Sequence, residues 1–140
     1  MSAQEGENIA RRWVEDREIS LAVRRLQMHL DLVSEDLRVY GVPGADCLDA
    51  EAWAARRRRD WTRLKSLRHE ALRMKNITLR RIRFSVSEVL TTVNGATLTT
   101  EKEILLEQEA EGVWRAVEER IRSHAVAEPH ERGTAEAHAS

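Results

Sequence analysis

Between Ile19 and Tyr40 the apolar side chains recur at intervals of 4, 3, 4, 3, 4 and 3 residues: Ile19, Val23, Leu26, Leu30, Val33, Leu37 and Tyr40. This is a heptad seam held through three repeats, the period of a left-handed coiled coil. It predicts one helix from about residue 7 to residue 40, roughly 50 Å long at a rise of about 1.5 Å per residue. Upstream the seam passes through Asp16 and Arg12 before it reaches Ile9, so the first turns are packed less well or pack through Trp13. A rod of that length cannot bury its seam alone. It needs a second helix from the same chain or a twin copy, and Ile19, Val23, Leu26, Leu30, Val33 and Leu37 are the expected homodimer contacts.

The punctuation that follows fits a helical hairpin. Gly41-Val42-Pro43-Gly44 stops the first helix. Asp49 then reads as an N-cap, with Glu51 in the first turn where the helix dipole favours an acid. The second helix is expected over about 50–93, with Trp53, Leu64, Leu67, Ala71, Met74, Thr78 and Ile82 on one arc. Its end is ambiguous. Residues 77–86 are β-branched and partly alternating, and Val93-Asn94-Gly95-Ala96 is a hairpin signal that would join short strands over 89–93 and 96–100. A lone two-stranded ribbon is marginal in water, so the helical alternative, with Asn94-Gly95 as its C-terminal cap, is preferred. Thr100-Glu101-Lys102-Glu103 matches a capping box and opens a third helix to about residue 124. Residues 125–140 are small and polar and read as a disordered tail. The expectation is therefore an all-α, elongated helical hairpin forming a single domain over 1–124, with a small ribbon near Asn94-Gly95 as the alternative. Six Gly and two Pro among 140 residues support it, being too few for many short strands.

Charge supplies the functional clue. The net charge of −1 hides a cationic centre: residues 56–83 hold twelve Arg or Lys against Asp60 and Glu70, between two acidic flanks. On a helix, Arg56, Arg57, Arg58, Arg59, Arg63, Lys65, Arg68, Arg73 and Lys75 would each neutralise a phosphate, and Trp53 and Trp61 would stack on bases or pack on sugars. These eleven residues form the candidate nucleic-acid site, with duplex RNA as first ligand because backbone recognition across a shape suits it. The bland alternative is that the block pairs with the acids of the flanks, in exposed contacts of about 0–1 kcal/mol each. The four arginines at 56–59 point in four directions, which argues against flat docking and suits groove insertion or a nuclear-import signal. In general design such a chain resembles small helical viral or phage proteins that clamp a duplex through a dimer of hairpins, a likeness of architecture that carries no residue over.

Other chemistry finds less support. His29, His69, His124, His130 and His138 show no ligand spacing, and no P-loop, GxGxxG, HExxH or GxSxG is present. His69-Glu70 reads as solvated, and Cys47 as a buried or inert thiol. The sequence thus predicts a non-catalytic protein with no cofactor, metal or small-molecule substrate. Its partners would be an RNA or DNA backbone and a second copy of itself. An adaptor docking its basic helix on acidic proteins is the runner-up, and a DNA regulator with a small wing at Asn94-Gly95 a third reading. No run of 18 apolar residues and no basic-then-apolar leader is evident, so no membrane is expected and the location is cytoplasmic, or nuclear in a eukaryotic host.

Overall fold

In a computed structural model describing residues 1–129, the helical expectation fails over most of the chain. The elements are α1 (Ala3–Ala22), α2 (Leu26–Leu30), β1 (Val33–Tyr40), β2 (Cys47–Asp49), α3 (Ala50–Asp60), β3 (Leu64–Ile77), β4 (Arg81–Thr92), β5 (Thr97–Gln108) and β6 (Trp114–Ala127). Short 3-10 turns stand at Trp61–Arg63 and Ala110–Gly112. The six strands make one mixed sheet in the order β2-β1-β6-β5-β4-β3. Only β1 and β6 run parallel; the other neighbours are antiparallel. The fold is α+β, not all-α.

Strand alternation builds the core. On β4, Ile82, Phe84 and Val86 are buried, facing Leu106, Ile104 and Lys102 of β5 in register. Ala116 of β6 and Leu37 and Val39 of β1 join the same cluster. Helix α1 closes it with Ala10, Trp13 and Val14, Trp13 meeting Phe84 edge-on at 6.4 Å between ring centres. A capping box starts α1: Ser2 Oγ accepts from the Glu5 backbone N–H at 3.1 Å, and the Ser2 N–H donates to Glu5 Oε1 at 2.7 Å. The opposite phase of the strands carries cross-strand ion pairs, Arg83 with Glu118 at 3.4 Å and Arg122 with Glu103 at 2.8 Å. Glu103 and Glu118 of the acidic flank are spent there, on sheet surface.

Each of the three expected helices is corrected. The helix predicted over 7–40 ends at Ala22, where Arg24 turns the chain at φ 61°. The heptad spacing then runs across three different elements. Ile19 and Val23 are exposed, Leu26 and Leu30 lie on α2, and Val33 and Leu37 on β1. No continuous seam exists, so the coiled-coil and dimer reading built on it falls. The helix predicted over 50–93 is real only as far as Asp60, and Asp49 does cap it, accepting from the Ala52 N–H at 2.8 Å. The rest of that stretch is β3 and β4, and Asn94-Gly95 turns the β4–β5 hairpin, the alternative that had been set aside. The objection to that hairpin assumed no third strand; β3 and β6 supply two. The helix predicted over 100–124 is β5 and β6, with Thr100–Glu103 inside a strand rather than at a cap. Ala125–Ala127, assigned to a tail, pair with Thr97–Thr99, while residues 130–140 lie outside the described residues.

Candidate functional site

Helices α1 and α3 and the sheet face they pack against enclose a ring of ionised side chains. On α1 the buried positions Ala10, Trp13, Val14, Arg17 and Leu21 share one face, and Arg17 is the charged member, 1% exposed. Its Nε donates to Glu88 Oε2 at 2.9 Å and its Nη1 to Glu119 Oε2 at 3.0 Å. From the sheet, Lys102 Nζ donates to Glu88 Oε1 at 2.6 Å and to Glu119 Oε1 at 3.0 Å. Two cations and two carboxylates thus alternate around a closed ring. Adjacent strands deliver these residues: Glu88 lies on β4, Lys102 on β5 and Glu119 on β6, all in the phase that faces the helices. The Arg17 guanidinium also lies over the Trp13 and Trp53 rings, 5.1 and 5.8 Å from their centroids.

Burial penalises the ionised carboxylates of Glu88 and Glu119, but Arg17 and Lys102 more than offset it and hold both below the usual carboxylate range. Burial likewise works against the Arg17 charge, and Glu119 with Glu88 reverses the outcome, raising its pKa. His69 on β3 extends the ring, Nε2 at 2.8 Å from Glu88 Oε2 and Nδ1 at 2.9 Å from Glu18 Oε2 on α1. Its side chain is 2% exposed, which corrects the solvated reading for His69, whereas Glu70 is exposed. His29 sits behind Trp53, its ring stacked at 6.1 Å, with Nδ1 2.8 Å from Ser20 Oγ. Because the Ser20 hydroxyl donates to the Arg17 carbonyl, that contact requires His29 Nδ1–H to be the donor. Burial, followed by the Arg57 and Arg17 charges, pushes the pKa of His29 down to about 2.

Above the ring lies a partly enclosed cavity of about 220 Å³. Glu88, Lys102 and Glu119 line it on the sheet side, Trp53, Arg56, Arg57 and Asp60 on the α3 side, with aliphatic walls that include Val39, Leu48, Leu90 and Leu98. The α3 residues recur at i, i+3, i+4 and i+7, so one helix face presents them all.

The eleven residues of the expected nucleic-acid site are dispersed. Trp53 is buried, while Arg56 and Arg57 are partly buried along the cavity. Arg58 and Arg59 are exposed, and Arg59 and Arg63 both hold Asp60. Trp61 packs on the Leu21–Leu64–Leu67 cluster. Lys65, Arg68, Arg73 and Lys75 project from β3, an edge strand, and Arg68 pairs with Glu70 at 3.0 Å. Charged side chains on an edge strand keep it from pairing with another chain, reason enough for cations there. No arginine-rich helix extends beyond Asp60, and RNA binding through one is withdrawn. Cys47 is exposed on β2 rather than tucked away.

The residues of the ring carry a signal visible in the sequence. Ile82, Phe84, Val86, Glu88 and Leu90 form an alternating series with a single acid in it, as Leu98, Thr100, Lys102, Ile104 and Leu106 do with a single base. A charge in the apolar phase of a strand marks a buried, partnered ion.

Comparison with known proteins agrees with the architecture. A scan against protein-family models finds no match, and a search of curated proteins finds none of significance. Solved structures do match. A Novosphingobium aromaticivorans protein provisionally described as a scytalone dehydratase superposes with TM-score 0.69 at 13% identity, over 87% of this chain and 86% of that one. An NTF2-like protein from Cytophaga hutchinsonii gives 0.68 at 11% identity, over 86% and 98%. The Δ5-3-ketosteroid isomerase of a Mycobacterium species gives 0.59 at 15% identity, over 82% and 95%. The chain has the fold of the NTF2-like proteins. Enzymes share that fold, so the expectation of a non-catalytic protein with no small-molecule substrate is corrected.

Proposed function

We propose that this protein binds a small organic molecule in the cavity over the Arg17–Glu88–Lys102–Glu119 ring. The observation that carries this reading is the mixture of walls: aliphatic and indole surface around a few ionised groups that converge on one space, as small-molecule sites are commonly built. A volume of about 220 Å³ lies below the range of about 300–1,000 Å³ usual for drug-sized ligands, so the occupant is compact. The fold of small-molecule enzymes supports the same assignment.

A catalytic version of this reading is favoured by Lys102. Two of its three N–H donors are spent on Glu88 and Glu119, which leaves one for a group in the cavity it lines. Such a donor stabilises negative charge that develops on a bound substrate. Proton abstraction by Glu88 or Glu119 is the weaker option, because the pairing that keeps them ionised also lowers their basicity.

The test is a fragment screen by thermal shift and tryptophan fluorescence on the wild type and on Leu98→Trp, which fills the cavity from its wall. Compact ligands should raise the melting temperature of the wild type and lose their effect in a variant that remains folded by circular dichroism. Ligands that bind both proteins equally would place the site elsewhere and refute the assignment.

A further inference from the structure

We infer that the cavity's ligand is a small organic carboxylate, held by the Arg57 guanidinium with its apolar body among the aliphatic walls. This rests on the cavity being a ligand site and specifies what it takes. Within the ring, two cations meet two carboxylates and every carboxylate oxygen is used. Asp60, the remaining acid on the wall, is already held by Arg59 and Arg63. Arg56 and Arg57 line the same space, and neither has a hydrogen-bond or ion-pair partner among the described residues. The cavity therefore carries unbalanced positive charge on one face of α3.

Arg57 is the better placed of the two. Its guanidinium lies over the ring of the buried Trp53, 5.4 Å from the centroid. Burial and then the nearby Arg17 charge lower its pKa, so the cation stands in a setting that disfavours it. A partly buried guanidinium with no protein partner for its five donors is costly, and a carboxylate meets its fork with two parallel hydrogen bonds. The aliphatic walls select against inorganic anions, which have nothing to bury. The small volume selects against a polymer.

Isothermal titration with benzoate, cyclohexanecarboxylate and 1-naphthoate, each beside its uncharged amide, decides the matter. At least one acid should bind the wild type more tightly than its amide. Arg57→Gln should weaken that acid about 10- to 100-fold, the loss of a charge-assisted pair, and leave the amide unchanged. Arg58→Gln, on the exposed side of α3, should leave both unchanged. Acid and amide binding equally, with no response to Arg57→Gln, overturns the carboxylate while the cavity reading stands. Absence of binding by all six compounds overturns the carboxylate assignment too, and only the fragment screen then speaks for the cavity.

Discussion

Replacing Arg17 with Met tests the buried ring most directly. The substitution keeps an unbranched apolar stem and removes a charge whose side chain is 1% exposed. It leaves Glu88 and Glu119, 7% and 0% exposed, with Lys102 and the Glu88 contact to His69. Three Arg17 contacts to carboxylate oxygens vanish, at 2.9, 3.0 and 3.5 Å. Breaking a buried ion pair from one side costs about 3–5 kcal/mol, because the partner charge stays behind in a poorly solvating place. Domains of this size have about 5–15 kcal/mol in all, so the variant should melt roughly 10–20 °C lower. Removing a matched pair, Arg17→Met with Glu119→Leu, leaves Lys102 balanced by Glu88. The double variant should be more stable than Arg17→Met alone by about 1–3 kcal/mol. Urea titrations of the wild type, both single variants and the double variant measure this coupling. A double variant whose loss equals the sum of the single losses would refute the claim that these charges form one unit.

Two further expectations concern stability. The carboxylates of Glu88 and Glu119 have depressed pKa values, so the stability they add is complete above about 4.5 and is lost as pH falls through their lowered values. His29, lowered from 6.5 to about 2, is a buried neutral base; the unfolded chain binds its proton first, and stability falls by up to about 1.4 kcal/mol per unit below pH 6.5. Urea midpoints should therefore drop between pH 6.5 and 5 in the wild type and stay level there in His29→Phe; equal slopes would contradict the assignment. Leu30→Asp, at a core position 8% exposed, should cost more than about 3 kcal/mol in chemical denaturation. Ile19→Asp, at a position 48% exposed, should change stability by less than about 0.5 kcal/mol, whereas a working coiled-coil seam would make the two equally damaging.

Asp49 was legible as a cap because capping is a local contact, Asp49 to Ala52, that needs nothing from the rest of the fold. The stop at Gly41 was legible as well, although it ends a strand; its φ of 88° is one that few other residues adopt. The seam from Ile19 to Tyr40 misled because a spacing of three and four residues describes a helix only while the backbone stays helical, and Arg24 ends that. The strands were obscured by the site itself. Glu88 and Lys102 interrupt the apolar phase of β4 and β5, and Arg83 and Glu103 in the opposite phase look like helix-surface charges until strand pairing is known.

What the chain settles by itself, then, is local: the stop at Gly41, the cap at Asp49, and that its centre is cationic. Tertiary structure alone decided which cations are spent and which are left over. Arg63 reaches an acid three residues away, but Arg17 finds its partners 71 and 102 residues on. Coulomb energy depends on distance and on the surrounding medium, neither of which the order of residues displays. Only when β4, β5 and β6 lie side by side under α1 do Glu88, Lys102 and Glu119 become a ring, with Arg57 facing the cavity above it.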